Sequence, residues 1–171
     1  MAERLTITER TGLGIATIMH RRGSSAAALA AAIGCALPQG PRRTANGPLS
    51  IIGTGPGTWL AMMEDAAIDW AETLQARLAG LASVSDQSGG YLVHRFAGAG
   101  AIDLLQRGVA IDLHPAAFPT GSVATTVIAH IGVILWRVDD DPSFDVAIFR
   151  SYADSFHHWI DTTQSGLHDD Q

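Results

Sequence analysis

Apolar positions along the chain fall into short dense runs and longer stripes spaced by three and four, punctuated by glycine, proline and hydroxyl residues. Gly14–Met19, Leu49–Thr54 and Thr58–Met63 are runs of strand length, and Gly55-Pro56-Gly57 between the last two predicts a hairpin turn. Ser24–Ile33 is alanine-rich, opens on hydroxyls suited to N-capping and closes near Gly34, so it is read as a helix. A second helix is expected over Asp65–Gly80, with Ala67, Trp70, Leu74, Leu78 and Leu81 on one stripe. Further strands are expected at Tyr91–Phe96, at Val123–Val138 with a bend near Gly132, and at Phe144–Phe149. Ala101–Arg107 and Tyr152–Thr162 complete the set as helices.

The order β-α-β-β-α thus occurs twice, and the residues repeat with it. TERTGLGI at 8–15 matches SDQSGGYL at 85–92 at a shift of 77, pairing Thr8 with Ser85, Glu9 with Asp86, Thr11 with Ser88 and Gly12 with Gly89. The same shift relates Gly23 to Gly100, Pro38 to Pro115, Ile51 to Ile128 and Gly55 to Gly132. Beyond Gly132 the shift becomes 86, pairing Ala61 with Ala147 and Met63 with Phe149, so the second copy holds an insertion of nine residues. Two repeats, 1–83 and 84–171, are expected to form one compact subunit of the α+β class. Split β-α-β units of this kind make mostly antiparallel sheets with both helices on one face.

Composition adds a partner to this picture. The chain is 47% hydrophobic and only 16% charged, an imbalance expected when another protein covers part of the surface. Its net charge of −6 and 11 scattered basic residues offer no stripe for successive phosphates, which excludes a nucleic-acid binder. Cys35 is the single cysteine and sits in AAIGCALP, where a small buried residue in a reducing cytoplasm is expected. The first twenty residues carry Glu3, Arg4, Glu9 and Arg10 and do not read as a secretory signal. The longest apolar run, Val127–Trp136, is broken by His130 and is too short to span a bilayer, so a soluble chain with no membrane role is expected.

Candidate chemistry is sparse. His157 and His158 are adjacent on a predicted helix, so their side chains diverge by about 100° and cannot readily share an ion. His114 and His130 have no second ligand at a predictive spacing, and the aspartates at 139–141 lack the alternation of a calcium loop. GTGPG at 53–57 precedes a strand, which argues for a hairpin and against a pyrophosphate loop. GxSxG, HExxH and P-loop patterns are missing, and Ser24, Ser25 and Ser151 have no base beside them in sequence. The expectation is a chain with no catalytic, cofactor-binding or metal-binding residues of its own.

The second copy resembles the gamma subunit of heterotetrameric sarcosine oxidase. VSDQSGG at 84–90, GAGAIDLL at 98–105, IDLHPAAFPTG at 111–121, AHIGVILWRVDDDPSF at 129–144 and RSYADSFHHWI at 150–160 carry the resemblance, with GPGTWLAM at 55–62 in the first copy. That family is similar in turn to the folate-binding fold of the glycine-cleavage aminomethyltransferase, whose Asp-x-Ser opening matches Asp86 and Ser88. Where those proteins carry an acidic residue this chain has Ile134, Leu135 and Trp136, which implies that folate handling is lost here.

The resemblance implies a division of labour in the oxidative demethylation of sarcosine to glycine. An alpha subunit would bind NAD and tetrahydrofolate, a beta subunit FAD and covalently attached FMN, and a delta subunit zinc, while this chain would bind none of these and would stabilise the assembly. The expected docking surface comprises Phe118, Trp136, Arg137, His157, His158 and Trp159, since interfaces favour aromatics and arginine. Three other readings stand beside it: a subunit of a related N-methyl amine oxidase or demethylase, a free-standing folate-dependent transferase, and a folate-binding assembly factor.

Overall fold

A computed structural model describes residues 5–169. In chain order it contains β1 (Thr6–Arg10), β2 (Gly14–His20), α1 (Ala26–Ile33), β3 (Arg43–Asn46), β4 (Leu49–Gly55), β5 (Thr58–Met63), α2 (Trp70–Arg77) and β6 (Ala82–Asp86). It continues with β7 (Tyr91–Ala97), α3 (Ala101–Gln106), β8 (Val123–Ile128), β9 (Ile131–Arg137), β10 (Ser143–Phe149), a 3-10 turn (Arg150–Tyr152) and α4 (Ala153–Asp169). The expected helix starting at Ser24 begins at Ala26 because Ser25 is its cap: Ser25 Oγ accepts from Ala28 N at 3.2 Å. Gly34 closes that helix in the left-handed conformation.

The strands make two five-stranded sheets of the same order, β1-β7-β10-β9-β8 and β6-β2-β5-β4-β3, with antiparallel neighbours throughout. The fold class is the expected duplicated α+β arrangement. Its compact units nonetheless cut the chain differently from the sequence repeat: residues 11–90 form one, and the chain up to Arg10 together with that from Tyr91 onward forms the other. The difference is one strand per repeat, since β1 pairs with β7 and β6 pairs with β2.

Strand pairing also corrects the register of the repeat. Gly14 opposes Met63 and Tyr91 opposes Phe149, which supports a shift of 77 for β2 to β7 and of 86 for β5 to β10. Ala61 opposes Ile51, whereas Ala147 opposes Ile134, so the equivalent of Ile51 is Ile134, at a shift of 83, and not Ile128. At the edge strands, Asp86 opposes Ala16 while Arg10 opposes Val93. Arg10 and not Glu9 is therefore the equivalent of Asp86, and a slip of one residue turns Glu9 to the other face of its sheet.

Three strands went unforeseen: β1, β3 and β6. All are sheet edges with polar sequences, TITER, RTAN and ASVSD, that carry no apolar run. The expected bend near Gly132 is a hairpin turn at Ala129-His130, both with positive φ, of 47° and 70°. The helix expected over Asp65–Gly80 shrinks to Trp70–Arg77, because Asp65 has a φ of 45° and Ala66 N donates to Gly12 O.

Each sheet packs its helices on one face. Leu29 and Ile33 of α1 and Leu74 of α2 meet Ala16, Ile18 and Ile51; Leu104 and Leu105 of α3 and Phe156 and Ile160 of α4 meet Leu92, Phe96, Val133, Leu135, Phe144 and Val146. Full burial of each such side chain stabilises by about 1.5–3 kcal/mol. Cys35 is buried and free, and no helix among the described residues is long and apolar enough to cross a membrane.

Candidate functional site

Strand periodicity places one histidine under α4. In β7, Leu92, His94 and Phe96 point to the helix-covered face, and only His94 among them is polar. On the β10 side His94 opposes Val146, and on the β1 side it opposes Glu9 directly. Helix α4 anchors on the same face through Phe156, whose ring centroid lies 5.5 Å from that of His94. The next residue, His157, then reaches over the strand, and its Nε2 comes within 2.9 Å of His94 Nε2.

Glu9, His94 and His157 each offer one ligand atom, and these atoms all lie within 4.8 Å of one another. They open onto a cleft of about 440 Å³ shared with Ile7, Ile160, Asp161 and Gln164. His94 is only 3% exposed, and its Nδ1 has no hydrogen-bond partner among the described residues. Burial lowers its pKa most, the neighbouring His157 lowers it further, and Glu9 opposes both. His94 is therefore held as a neutral ring offering a lone pair or a single N–H. Two Nε2 atoms facing at 2.9 Å accommodate one proton or one cation between them.

The opposite face of the sheet carries a structural ion cluster. Asp145, with a side chain 1% exposed, accepts from Arg10 Nη1 at 2.8 Å and from Arg95 Nε and Nη2 at 2.7 and 2.8 Å. It ties the edge strand β1 to the middle of the sheet.

The residues expected to dock a partner divide in two. Phe118, Trp136 and Arg137 are 7%, 1% and 2% exposed, which corrects the expectation that their side chains face outward. Phe118 stacks on Phe144, and Trp136 lies opposite Asp145 in β9. Arg137 donates to the carbonyls of Asp139, Asp140 and Phe118 at 3.0, 2.9 and 3.4 Å and covers the Phe144 ring, so it suspends the aspartate turn from inside. Trp159 is half-buried and stacked on Phe156, His157 lines the cleft, and His158 is exposed.

Two features escaped the sequence. Glu9 and His94 are brought together only by strand register, which no local pattern encodes, although a lone histidine on the inward face of YLVHRFA was visible. An exposed aromatic group was also missed: Tyr91 and Phe149 stack with centroids 4.9 Å apart, and Phe149 and Tyr152 are 49% and 47% exposed. The Asp-x-Ser opening has a local role, in that the Asp86 carboxylate accepts from Ser88 N and Oγ at 2.9 and 2.7 Å, and Ser88 Oγ accepts from Ile15 N at 3.0 Å. His114 likewise closes a turn, its Nδ1 accepting from Ala116 N at 3.2 Å.

A family model described as sarcosine oxidase, gamma subunit family, matches residues 21–166. The sarcosine oxidase subunit gamma of Corynebacterium sp. (strain P-1) is 32% identical over 136 residues, covering 78% of this chain and 66% of that protein. Its counterpart from Arthrobacter sp is 31% identical over 153 residues, covering 88% and 73%. Among solved structures, a chain of the heterotetrameric sarcosine oxidase from Corynebacterium sp. U-96 in complex with pyrrole 2-carboxylate superposes with a TM-score of 0.85 at 28% identity, covering 95% of this chain and 84% of that one. Glycine cleavage system aminomethyltransferase T from Bartonella henselae follows at a TM-score of 0.67 and 11% identity, covering 92% and 45%, a likeness of fold alone.

Proposed function

The chain belongs to the sarcosine oxidase gamma subunit family, and from that membership we propose that it is a non-catalytic subunit of a heterotetrameric sarcosine oxidase. The observation that carries this reading is the likeness to a chain of such a heterotetramer over 95% of the present one. Its neighbours would be the alpha, beta and delta subunits. They would hold FAD, FMN, NAD, zinc and tetrahydrofolate and would carry out the demethylation of sarcosine to glycine. A cytoplasmic location belongs to the same reading and is supported by the lone, unpaired Cys35.

In this role the chain would help to hold the catalytic subunits in position. Docking is assigned to side chains the fold leaves open: the exposed Phe149 and Tyr152 beside Tyr91, and His158 on the outer side of α4. In this reading the flavins would sit on other subunits, and the Ile134–Trp136 segment of this chain is buried apolar strand. Co-expression of the tagged chain with its genomic neighbours, followed by mass spectrometry and visible spectroscopy, tests the proposal. Co-purification of flavin-bearing partners with a yellow spectrum, the chain alone being colourless, is expected. Purification as a solitary chain that binds folate would replace the subunit reading with a free-standing folate protein.

A further inference from the structure

We propose that Glu9, His94 and His157 form a site for one divalent transition-metal ion of the zinc type, held between β1, β7 and α4. Two borderline imidazole nitrogens beside one hard carboxylate oxygen make a set that suits zinc, nickel or copper better than calcium or magnesium, because the imidazoles outnumber the oxygen. Their ligand atoms already lie within 4.8 Å of one another. Bonds of about 2.0–2.2 Å in a tetrahedral centre set neighbouring donors roughly 3.2–3.5 Å apart. The 2.9 Å between the two Nε2 atoms has only to open slightly to admit the ion.

The backbone fixes this set before any ion arrives. Glu9 and His94 are directly opposed residues of adjacent strands, and His157 is positioned by Phe156 packing beneath α4. His94 is 97% buried, and with Nδ1 unpartnered among the described residues its polar outlet is Nε2, aimed at His157 and the cleft. Asp161 lines the same cleft one helical turn beyond His157. The duplicated fold supplies an internal comparison. In the other unit the positions equivalent to His94 and Glu9 are Thr17 and Ser85, which oppose one another in the same way and carry no imidazole or carboxylate. The architecture therefore stands without the triad. The proposal also reverses the expectation that the chain holds no metal, and it is independent of the subunit reading.

The test uses the full-length chain without a histidine tag, titrated with cobalt(II) and then zinc(II). One equivalent of cobalt giving an intense visible absorption, displaced by one equivalent of zinc, is expected. His157→Asn and Glu9→Gln should each weaken binding at least tenfold, while His158→Asn on the outer side binds like the wild type. Circular dichroism verifies that the variants fold, and zinc should raise the Tm of the wild type but not of His157→Asn. In the purified complex, His157→Asn should remove one equivalent of metal relative to the wild-type complex, whatever other metal sites it contains. No cobalt spectrum, or equal binding by wild type, His157→Asn and Glu9→Gln, would overturn the proposal in favour of a plain histidine–histidine hydrogen bond.

Discussion

At the scale of single residues, the surprises are side chains whose type suggested one place and whose register gave another. Trp136 and Arg137 carry the residue types of an interface, yet Val133–Arg137 is buried at every position except by degrees of a few per cent, the pattern of a strand covered on both faces. The unbroken apolar run ILW was a legible sign of this, and Arg137 was hidden by its bonds to loop carbonyls that no spacing rule reveals. Asp145 is similar: it sits inside a hydrophobic strand because Arg10 and Arg95 meet it there. Asp145→Asn removes the carboxylate that both guanidinium groups contact and should cost about 3 kcal/mol in urea unfolding. Arg95→Met should cost less, about 1 kcal/mol, since the Arg95 side chain is 34% exposed and water screens its charge. Asp86 gives a pH signature. The Ser88 backbone N–H and then its hydroxyl hold the carboxyl below the usual aspartate range, so its contribution is present above the unfolded pKa and lost as pH falls through the lower folded value. The difference in Tm between wild type and Asp86→Asn should therefore be present near neutrality and vanish as pH falls well below about 4.

Among the elements, strong apolar signals were read correctly and weak polar ones were not. Buried strands such as β2, β5 and β10 announce themselves, whereas the four-residue β3 is held by pairing with β4 and not by its own sequence. The close approach of α3 and α4 was equally invisible, although Gly108 marks it. A Cβ on Gly108 would lie 2.6 Å from Trp159 Cζ2 and 2.8 Å from Ile128 Cγ2, so the glycine is there for space. Gly108→Ala should destabilise the chain by about 1–3 kcal/mol in thermal or chemical unfolding. Adding Trp159→Leu should return part of that loss, a non-additivity that a double-mutant cycle measures.

For the molecule as a whole, the duplication was readable because its ends are anchored by shifts of 77 and 86, while the slips between them arise where loops absorbed six and then three extra residues. Only pairing reveals such slips, and a separate slip of one residue at the edge strand β1 sets Glu9 beside His94. The same scale governs docking, because exposed aromatics acquire meaning only when everything that could have covered them is in place. Phe149 and Tyr152 remain about half exposed after folding, with Tyr91 stacked on Phe149. Replacing exposed side chains outside special sites changes stability by no more than about 0.5 kcal/mol. An aromatic anchor in a partner's pocket, by contrast, is worth about 2 kcal/mol or more, close to a thirtyfold change in affinity. Phe149→Ser with Tyr152→Ser should therefore leave the Tm nearly unchanged while sharply reducing the partner subunits retained in a pull-down. Ile68→Ser, at a fully exposed site in the other compact unit, serves as the comparison and should retain them. If the aromatic double variant retains its partners as well as Ile68→Ser does, this face is solvent-exposed in the complex, and the docking surface must be sought along the outer side of α4 around His158.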